Sequence, residues 1–362
     1  MGRSICNDNA LSWPICIVLV ANFSCITDGS TRSKTPLAPA IIVFGDSTVD
    51  AGNNNYLATI VKSDFPPYGR DFDTRKATGR FCNGRLATDY IASLVGLPYP
   101  LAYLDPEAEG ENIVQGICFA SSASGYYNGT AENFNVASLT GQLKWYQEYF
   151  GKLSDFVGPA NASSIISKAL FILSTGSNDY VNNYYINLDL QNKYHLDQYR
   201  DILLSSYKSF IQDLYNSGAR RIAVISLPPL GCLPSQITLY GEGEVKCIEF
   251  LNTQALSFNQ DLRQATTTLK NSMPDIRLAY SDLYTVFLDV ISEPRKYGFS
   301  HALKSCCGVG NLAVSILCNQ LTPGTCSNAS SYVFWDSFHP SDHMNSILAN
   351  SLFAQPLKEL LF

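Results

Sequence analysis

The sequence predicts an α/β protein built on a central parallel sheet with helices on both faces. Short apolar runs of strand character recur along the chain, as at residues 38–44 (APAIIVF) and 169–174 (ALFILS). Longer segments with helical spacing fall between them, and strands alternating with helices pair in parallel. Turn-forming residues follow several of these strands directly. No segment repeats at solenoid length and no linker-like shift of composition divides the chain, so one domain over residues 29–362 is expected.

The first strand, 38–44, runs straight into Gly45, Asp46 and Ser47. Residues 50–56 (DAGNNNY) form a turn, with glycine and asparagine supplying left-handed and Asx conformations. Residues 65–83 read as a polar loop and 85–94 as a helix. Residues 118–120 read as a short strand entering the small-residue stretch 121–125. A helix over 139–150 precedes the strand 169–174, which ends at Thr175-Gly176-Ser177-Asn178-Asp179. Helix 196–216, strand 221–227, helix 250–269, strand 277–280 and helix 284–291 follow. Residues 300–331, rich in Gly, Cys and Asn, read as a loop held by disulfides. A last strand at 332–335 and a last helix at 341–353 close the chain.

The 362 residues carry a net charge of −6 and no basic run, a balance unsuited to nucleic acid or anionic membrane surfaces. Near the N-terminus Arg3 is the only charge before Asp8, and residues 10–21 are an apolar run short for a membrane span. Small and polar residues follow. This layout predicts a secretory signal peptide over residues 1–28, cut between Ala21 and Gly29, with a signal anchor as the alternative. A secreted, extracellular protein of the apoplast or cell wall is expected.

Of the eleven cysteines, eight lie beyond that segment: Cys82, Cys118, Cys232, Cys247, Cys306, Cys307, Cys318 and Cys326. An oxidising compartment favours disulfides, and the local pairs Cys232–Cys247 and Cys307–Cys318 are the expected staples. Cys118, in an apolar context, suits a buried free thiol. No CxxC pair or clustered Cys/His spacing points to zinc, and neither a metal nor a cofactor is expected. Sequons at Asn128, Asn161 and Asn328 lie in turn-rich stretches where glycan can face solvent.

In open parallel sheets, sites form beyond the carboxyl ends of strands. That rule singles out Ser47, Asn178 and the turn Asp336–His339. A serine hydroxyl needs a neighbouring base, usually a histidine held in its useful tautomer by a carboxylate. The chain has four histidines, and only His339 follows an aspartate closely, in Trp335-Asp336-Ser337-Phe338-His339-Pro340. That spacing lets carboxylate and imidazole meet within one tight turn. Taken singly each signal has a plainer reading: Ser47 as a helix cap, Asn178 as a turn residue, Asp336 as a capping carboxylate. GxSxG, GxxxxGK, HExxH and GxGxxG are all absent from the sequence. His343 lies four residues after His339, a spacing that metal ligands can share, but no third ligand accompanies them.

The combination is specific. FGDSTVDAGNN (44–54), GSND (176–179) and DSFHP (336–340) occur in this order, with Asn83-Gly84-Arg85, LPPLGCLP (227–234) and Cys306-Cys307-Gly308 between them. Over residues 41–357 the chain resembles the plant GDSL esterase/lipase family of the SGNH hydrolases. The resemblance implies a three-layer α/β/α flavodoxin-like fold and ester hydrolysis through an acyl-enzyme. It implies Ser47 as nucleophile, His339 as general base and then acid, and Asp336 as orienting carboxylate. The oxyanion donors would come from Ser47, Ser122 and Asn178, with Ser122 aligned to the family's oxyanion glycine to within one residue.

The second block departs from the family's usual NFASGGAG, reading CFASSASG at 118–125. Cys118 in place of asparagine is expected to lose a local hydrogen bond. The substrate implied is a small-molecule, lipid or polymer ester. Acetylated cell-wall polysaccharide, cutin-type polymers, acyl transfer to an alcohol and a non-catalytic binding role are the alternatives.

Overall fold

The computed structural model describes residues 35–308 and 318–362. Six strands make the main sheet: β1 (Ile41–Gly45), β2 (Leu101–Ala102), β3 (Gly116–Cys118), β4 (Leu170–Ser174), β5 (Arg221–Ile225) and β6 (Arg277–Ser281). Their order is β2-β3-β1-β4-β5-β6, and every neighbouring pair is parallel. Without the two-residue edge strand β2, this is the flavodoxin-like order, in which the chain adds strands on one side of β1 and then on the other. The reversal puts a crevice at the carboxyl ends of β1 and β4.

The strands form where the sequence places continuous apolar runs. All five residues of β1 are buried, as are the first four of β4. Burial on both faces removes the alternation that a half-exposed strand would show. The helices Leu139–Val157, Leu196–Asn216 and Glu249–Ser272 pack side by side, the first against β1 and the third against β6. Ala87–Val95, Leu283–Ser292 and Asp342–Leu352 form a second packed group, and Lys358–Leu361 lies against β5 and β6. Each helix buries one stripe; in Glu249–Ser272 it includes Leu251, Ala255, Phe258 and Leu262. Truncating Phe258 to alanine would cost about 3–5 kcal/mol in lost burial and residual cavity.

Two expectations change. The 300–331 segment is not all loop, because His301–Ser305 forms β7, paired in parallel with β8 (Tyr332–Phe334). This two-stranded sheet is separate from the main one, so the last strand does not extend the central sheet as expected. β7 escaped notice because His301 and Lys304 are exposed and only Ser305 is fully buried.

The expected disulfides Cys232–Cys247 and Cys307–Cys318 form, and Cys306–Cys326 is a third. Cys82 and Cys118 are free and buried. Cys306, Cys307 and Cys318 share a satellite core with Tyr68, Phe81 and Trp335. The expected leader, residues 1–28, lies outside the described residues, and no helix among the described residues is long and apolar enough to cross a membrane.

Candidate active site

The path of β1 sets the first side chain. Gly45 has φ 142°, and a Cβ there would overlap the carbonyl oxygen of Ser174, its register partner on β4. Only glycine lets the two strand ends approach this closely. The Asp46 N–H then donates to that same carbonyl at 3.0 Å, and the chain turns away with Ser47 at its crest.

Asp336 and His339 arrive on the turn after β8. Asp336 Oδ1 accepts from the backbone N–H groups of Phe338 (2.9 Å) and His339 (2.8 Å), closing an Asx-type turn around its own carboxylate. The Trp335 N–H donates to the His339 carbonyl, and the following helix begins on Ser341, whose Oγ accepts from the Met344 N–H. His339 Nδ1 thereby lies 2.8 Å from both carboxylate oxygens, and Nε2 lies 2.7 Å from Ser47 Oγ. Asp336 is wholly buried, whereas Ser47 keeps 8% and His339 5% exposure, a narrow opening onto solvent. The arrangement can pass a proton from Oγ to Nε2 while the carboxylate holds the Nδ1 proton.

Asn178 also reaches this cavity. Its Nδ2 donates one proton to the Ser124 carbonyl at 2.9 Å, and its Oδ1 accepts from Asn182 at 2.6 Å, which fixes the amide's orientation. Ser122 does not fit its expected place. Its N–H and its Oγ both donate to Asp50 Oδ2, at 3.0 and 2.7 Å, and it is absent from the cavity wall. Ala123 lines the cavity instead, held at φ 68° in the left-handed region. Of this stretch, Ala123 rather than Ser122 therefore borders the cavity.

Several residues that hold this stretch were not singled out by sequence. Asn53 Nδ2 donates to the carbonyls of Cys118 and Ala120, and Asn54 Nδ2 to that of Ser122. Asp179 takes the N–H groups of Tyr126 (2.7 Å) and Tyr127 (3.1 Å) and the Thr130 hydroxyl (2.6 Å). The turn at 50–54 and the aspartate of GSND thus grip the segment from both sides. Cys118 retains a polar contact, its thiol donating to the Val49 carbonyl at 3.1 Å, so its expected loss of a hydrogen bond is corrected. The landmark at 83–85 anchors the last helix: Asp342 accepts from the Arg85 N–H, and the Asp342 N–H donates to Asn83 Oδ1.

Burial raises two carboxyls beside the site. Asp46 is pushed up to about 6 by desolvation, offset in part by bonds from the Thr48 N–H and hydroxyl. Asp179 is pushed up to about 7 by desolvation against its three donors. His343 stands outside the site, tilted against the Phe299 ring at 4.6 Å with Nδ1 bonded to the Ser330 carbonyl. Asn128, Asn161 and Asn328 are all exposed.

From Ser47 a cavity of about 290 Å³ runs inward between the sheet and the second helix group. Ile172 of β4 and Ile225 of β5 form one wall; Ile91, Phe287, Leu348 and Leu352 form the other. Asn345, Leu348 and Leu352 share one helix face, so the cavity follows that helix for about 10 Å.

A parallel α/β sheet with Ser47, His339 and Asp336 in hydrogen-bond sequence at its carboxyl edge is the architecture of a hydrolase. The family model of the GDSL-like lipase/acylhydrolases matches residues 41–352. GDSL esterase/lipase At5g03810 of Arabidopsis thaliana is 48% identical over 347 residues, covering 95% of this chain and 97% of that protein. Arabidopsis GDSL esterase/lipase At5g22810 is 50% identical over 321 residues, covering 88% and 89%. Arabidopsis GDSL esterase/lipase APG is 48% identical over 325 residues, covering 89% and 92%. Among solved structures, a lipase from a goat rumen metagenome aligns with 87% of this chain and 96% of its own at 14% identity and a TM-score of 0.41. The chain belongs to the GDSL esterase/lipase family, and it is a carboxylic ester hydrolase.

Proposed function

We propose that the protein is a secreted serine esterase that cleaves esters of aliphatic acyl groups through an acyl-enzyme. Ser47 Oγ attacks the ester carbonyl, and His339 Nε2 takes its proton and returns it to the leaving alcohol. Asp336 holds the imidazole in the tautomer with a proton on Nδ1. A water, activated by the same nitrogen, then releases the acid. The developing oxyanion is met by the Ser47 N–H, the Ala123 N–H and the second proton of Asn178 Nδ2. One such donor is worth about 3–4 kcal/mol of transition-state stabilisation.

The observation that carries this reading is the 2.7 Å contact between Ser47 Oγ and His339 Nε2 at the mouth of an apolar cavity. The apolar wall favours an acyl chain over the acetyl group of a polysaccharide, whose bulk would lie outside. The exposed sequons Asn128, Asn161 and Asn328 and the three disulfides support passage through an oxidising secretory route, with residues 1–28 removed. The test pairs a fluorophosphonate probe with an ester panel from acetyl to long-chain acyl esters and acetylated xylan. Stoichiometric labelling that vanishes in Ser47→Ala, with hydrolysis of acyl esters, is expected. Intact protein that takes no label, or acetate release from xylan alone, would overturn it.

A further inference from the structure

Tyr68 lies 268 residues before Asp336 in sequence, yet its hydroxyl donates to Asp336 Oδ2 at 2.8 Å. The two oxygens of this carboxylate are served unequally. Oδ1 accepts two backbone N–H groups, which the turn supplies by its own geometry. Oδ2 is reached instead by side chains of the described residues, the Tyr68 hydroxyl and its share of His339 Nδ1. Asp336 is wholly buried, and its recorded ion pair among the described residues is with His339 itself. A buried carboxylate in such a place depends on donated hydrogen bonds to hold its charge and its plane.

The setting of Tyr68 separates the hydroxyl's task from the ring's. The ring is 1% exposed and packs edge-on against Phe65, Phe81 and Trp335, with centroids 5.8, 5.6 and 6.1 Å away. Phe81 in turn lies 5.0 Å from the His339 ring. Phenylalanine would fill that aromatic nest equally well, so the packing does not call for a hydroxyl. The loop is also fixed at its backbone: the Gly69 N–H donates to the Cys82 carbonyl and the Asp71 N–H to that of Asn83. Arg70, its guanidinium over the Trp335 ring at 4.8 Å, donates to the Cys326 carbonyl at 2.7 Å. The loop at 65–71 thus holds the hydroxyl against Oδ2 from a segment independent of the turn that carries Asp336.

We propose that Tyr68 is a positioning residue for the hydrolytic reaction: its hydroxyl fixes the plane of the Asp336 carboxylate and tempers its charge toward His339. This rests on the reading of Ser47, His339 and Asp336 given above. Without the hydroxyl, the carboxylate is free to tilt away from Nδ1, and its charge bears more fully on the imidazole, favouring the protonated ring. Among the described residues, the titratable groups that bear on the pair are Tyr68 from the 65–71 loop and Asp46 from the end of β1, with Arg70 one ring away over Trp335.

The test compares the full chain with Tyr68→Phe and with 3-fluorotyrosine placed at position 68. Tyr68→Phe is expected to lower kcat about tenfold at nearly unchanged KM and to move the acidic limb of kcat/KM up by roughly half a pH unit. The fluorinated phenol, a stronger donor, should move that limb the other way. Labelling of Ser47 by the fluorophosphonate persists in both, more slowly in Tyr68→Phe, so loss of the underlying reading (no labelling in the native protein) is distinguished from loss of this one. An acidic limb unmoved in both variants, or a fall in activity matched by the fraction of unfolded protein in a thermal melt, would overturn the proposal.

Discussion

The side-chain amide of Gln142 pairs with both peptide groups of Gly45: Oε1 accepts the Gly45 N–H at 3.0 Å, and Nε2 donates to the Gly45 carbonyl at 2.9 Å. β3 pairs with β1 only as far as Val43, so a helix side chain supplies the Gly45 N–H with the partner that a neighbouring strand would give, while the Gly45 carbonyl also accepts from the Ser121 N–H and the Ser124 hydroxyl. Gln142 is wholly buried, and Ser47 lies two residues beyond the residue it clamps. Gln142→Leu leaves the Gly45 N–H buried without a partner, at a cost of about 1–3 kcal/mol. We expect a lower urea midpoint with an unchanged m-value, and a loss of kcat larger than that of KM.

The cavity wall makes chain length a measurable consequence. Leu348 lies on the helix face that borders the cavity, beyond Asn345 and before Leu352. Leu348→Trp shortens the available space. Each methylene that can no longer be buried removes about 0.8 kcal/mol, close to a fourfold step in kcat/KM. Rates on acetyl and butyryl esters should stay within twofold of native, while long-chain esters lose tenfold or more. A uniform loss across the series would show that the chain lies elsewhere.

The buried carboxyl of Asp46 predicts an unusual slope of stability with pH. Its folded-state value, about 6, lies above the ordinary 3.8. Between those values the folded protein binds more protons than the unfolded chain, so stability falls as pH rises through that window. Asp46→Asn keeps an acceptor for Thr48 and removes this carboxyl's share of the slope. The variant should gain on the native protein with rising pH, by up to about 3 kcal/mol near neutrality. Asp179, pushed up to about 7, adds a decline of the same sign that remains in the variant. Thermal melts from pH 4 to about 8 measure both; parallel curves for the two proteins would refute the assignment.

Reduction should silence the enzyme before it unfolds. Cys306–Cys326 and Cys307–Cys318 close segments of 20 and 11 residues, each worth about 2–3 kcal/mol. The N–H groups of Cys306 and Cys307 donate to the carbonyls of Phe334 and Trp335, directly before Asp336. With dithiothreitol, esterase activity should fall at temperatures where far-ultraviolet circular dichroism is still native. Activity and dichroism falling together would mean that the bridges stabilise the whole fold instead.

Much of this architecture was legible in sequence because parallel strands are written as unbroken apolar runs. IIVF, LFIL and IAVI all announced themselves, and the glycines, serines and asparagines after them marked the carboxyl edge. The turn of Asp336 and His339 was legible for a different reason, since its partners lie three residues apart. What stayed hidden depends on contacts between distant segments. Asp50 meets Ser122 across 72 residues, Gln142 meets Gly45 across 97, and no local period encodes either. The helix Pro159–Lys168 was hidden by composition, since PANASSIISK buries fully only Ala162 and Ile166. That Ala123 rather than Ser122 borders the cavity could not be read from the motif, because it depends on the hold that Asp50 takes on Ser122 from 72 residues away.

Ser47 and His339 meet across 292 residues of chain. The serine is therefore made early and its hydrogen-bond partner late. A growing chain on the ribosome has completed β1 and most of the main sheet while the histidine that meets Ser47 does not yet exist. On the proposed mechanism ester cleavage begins only once β8 and its turn have been translated and docked, so activity would report a chain made at least as far as His339, and a product cut short before it would retain the serine in a silent form.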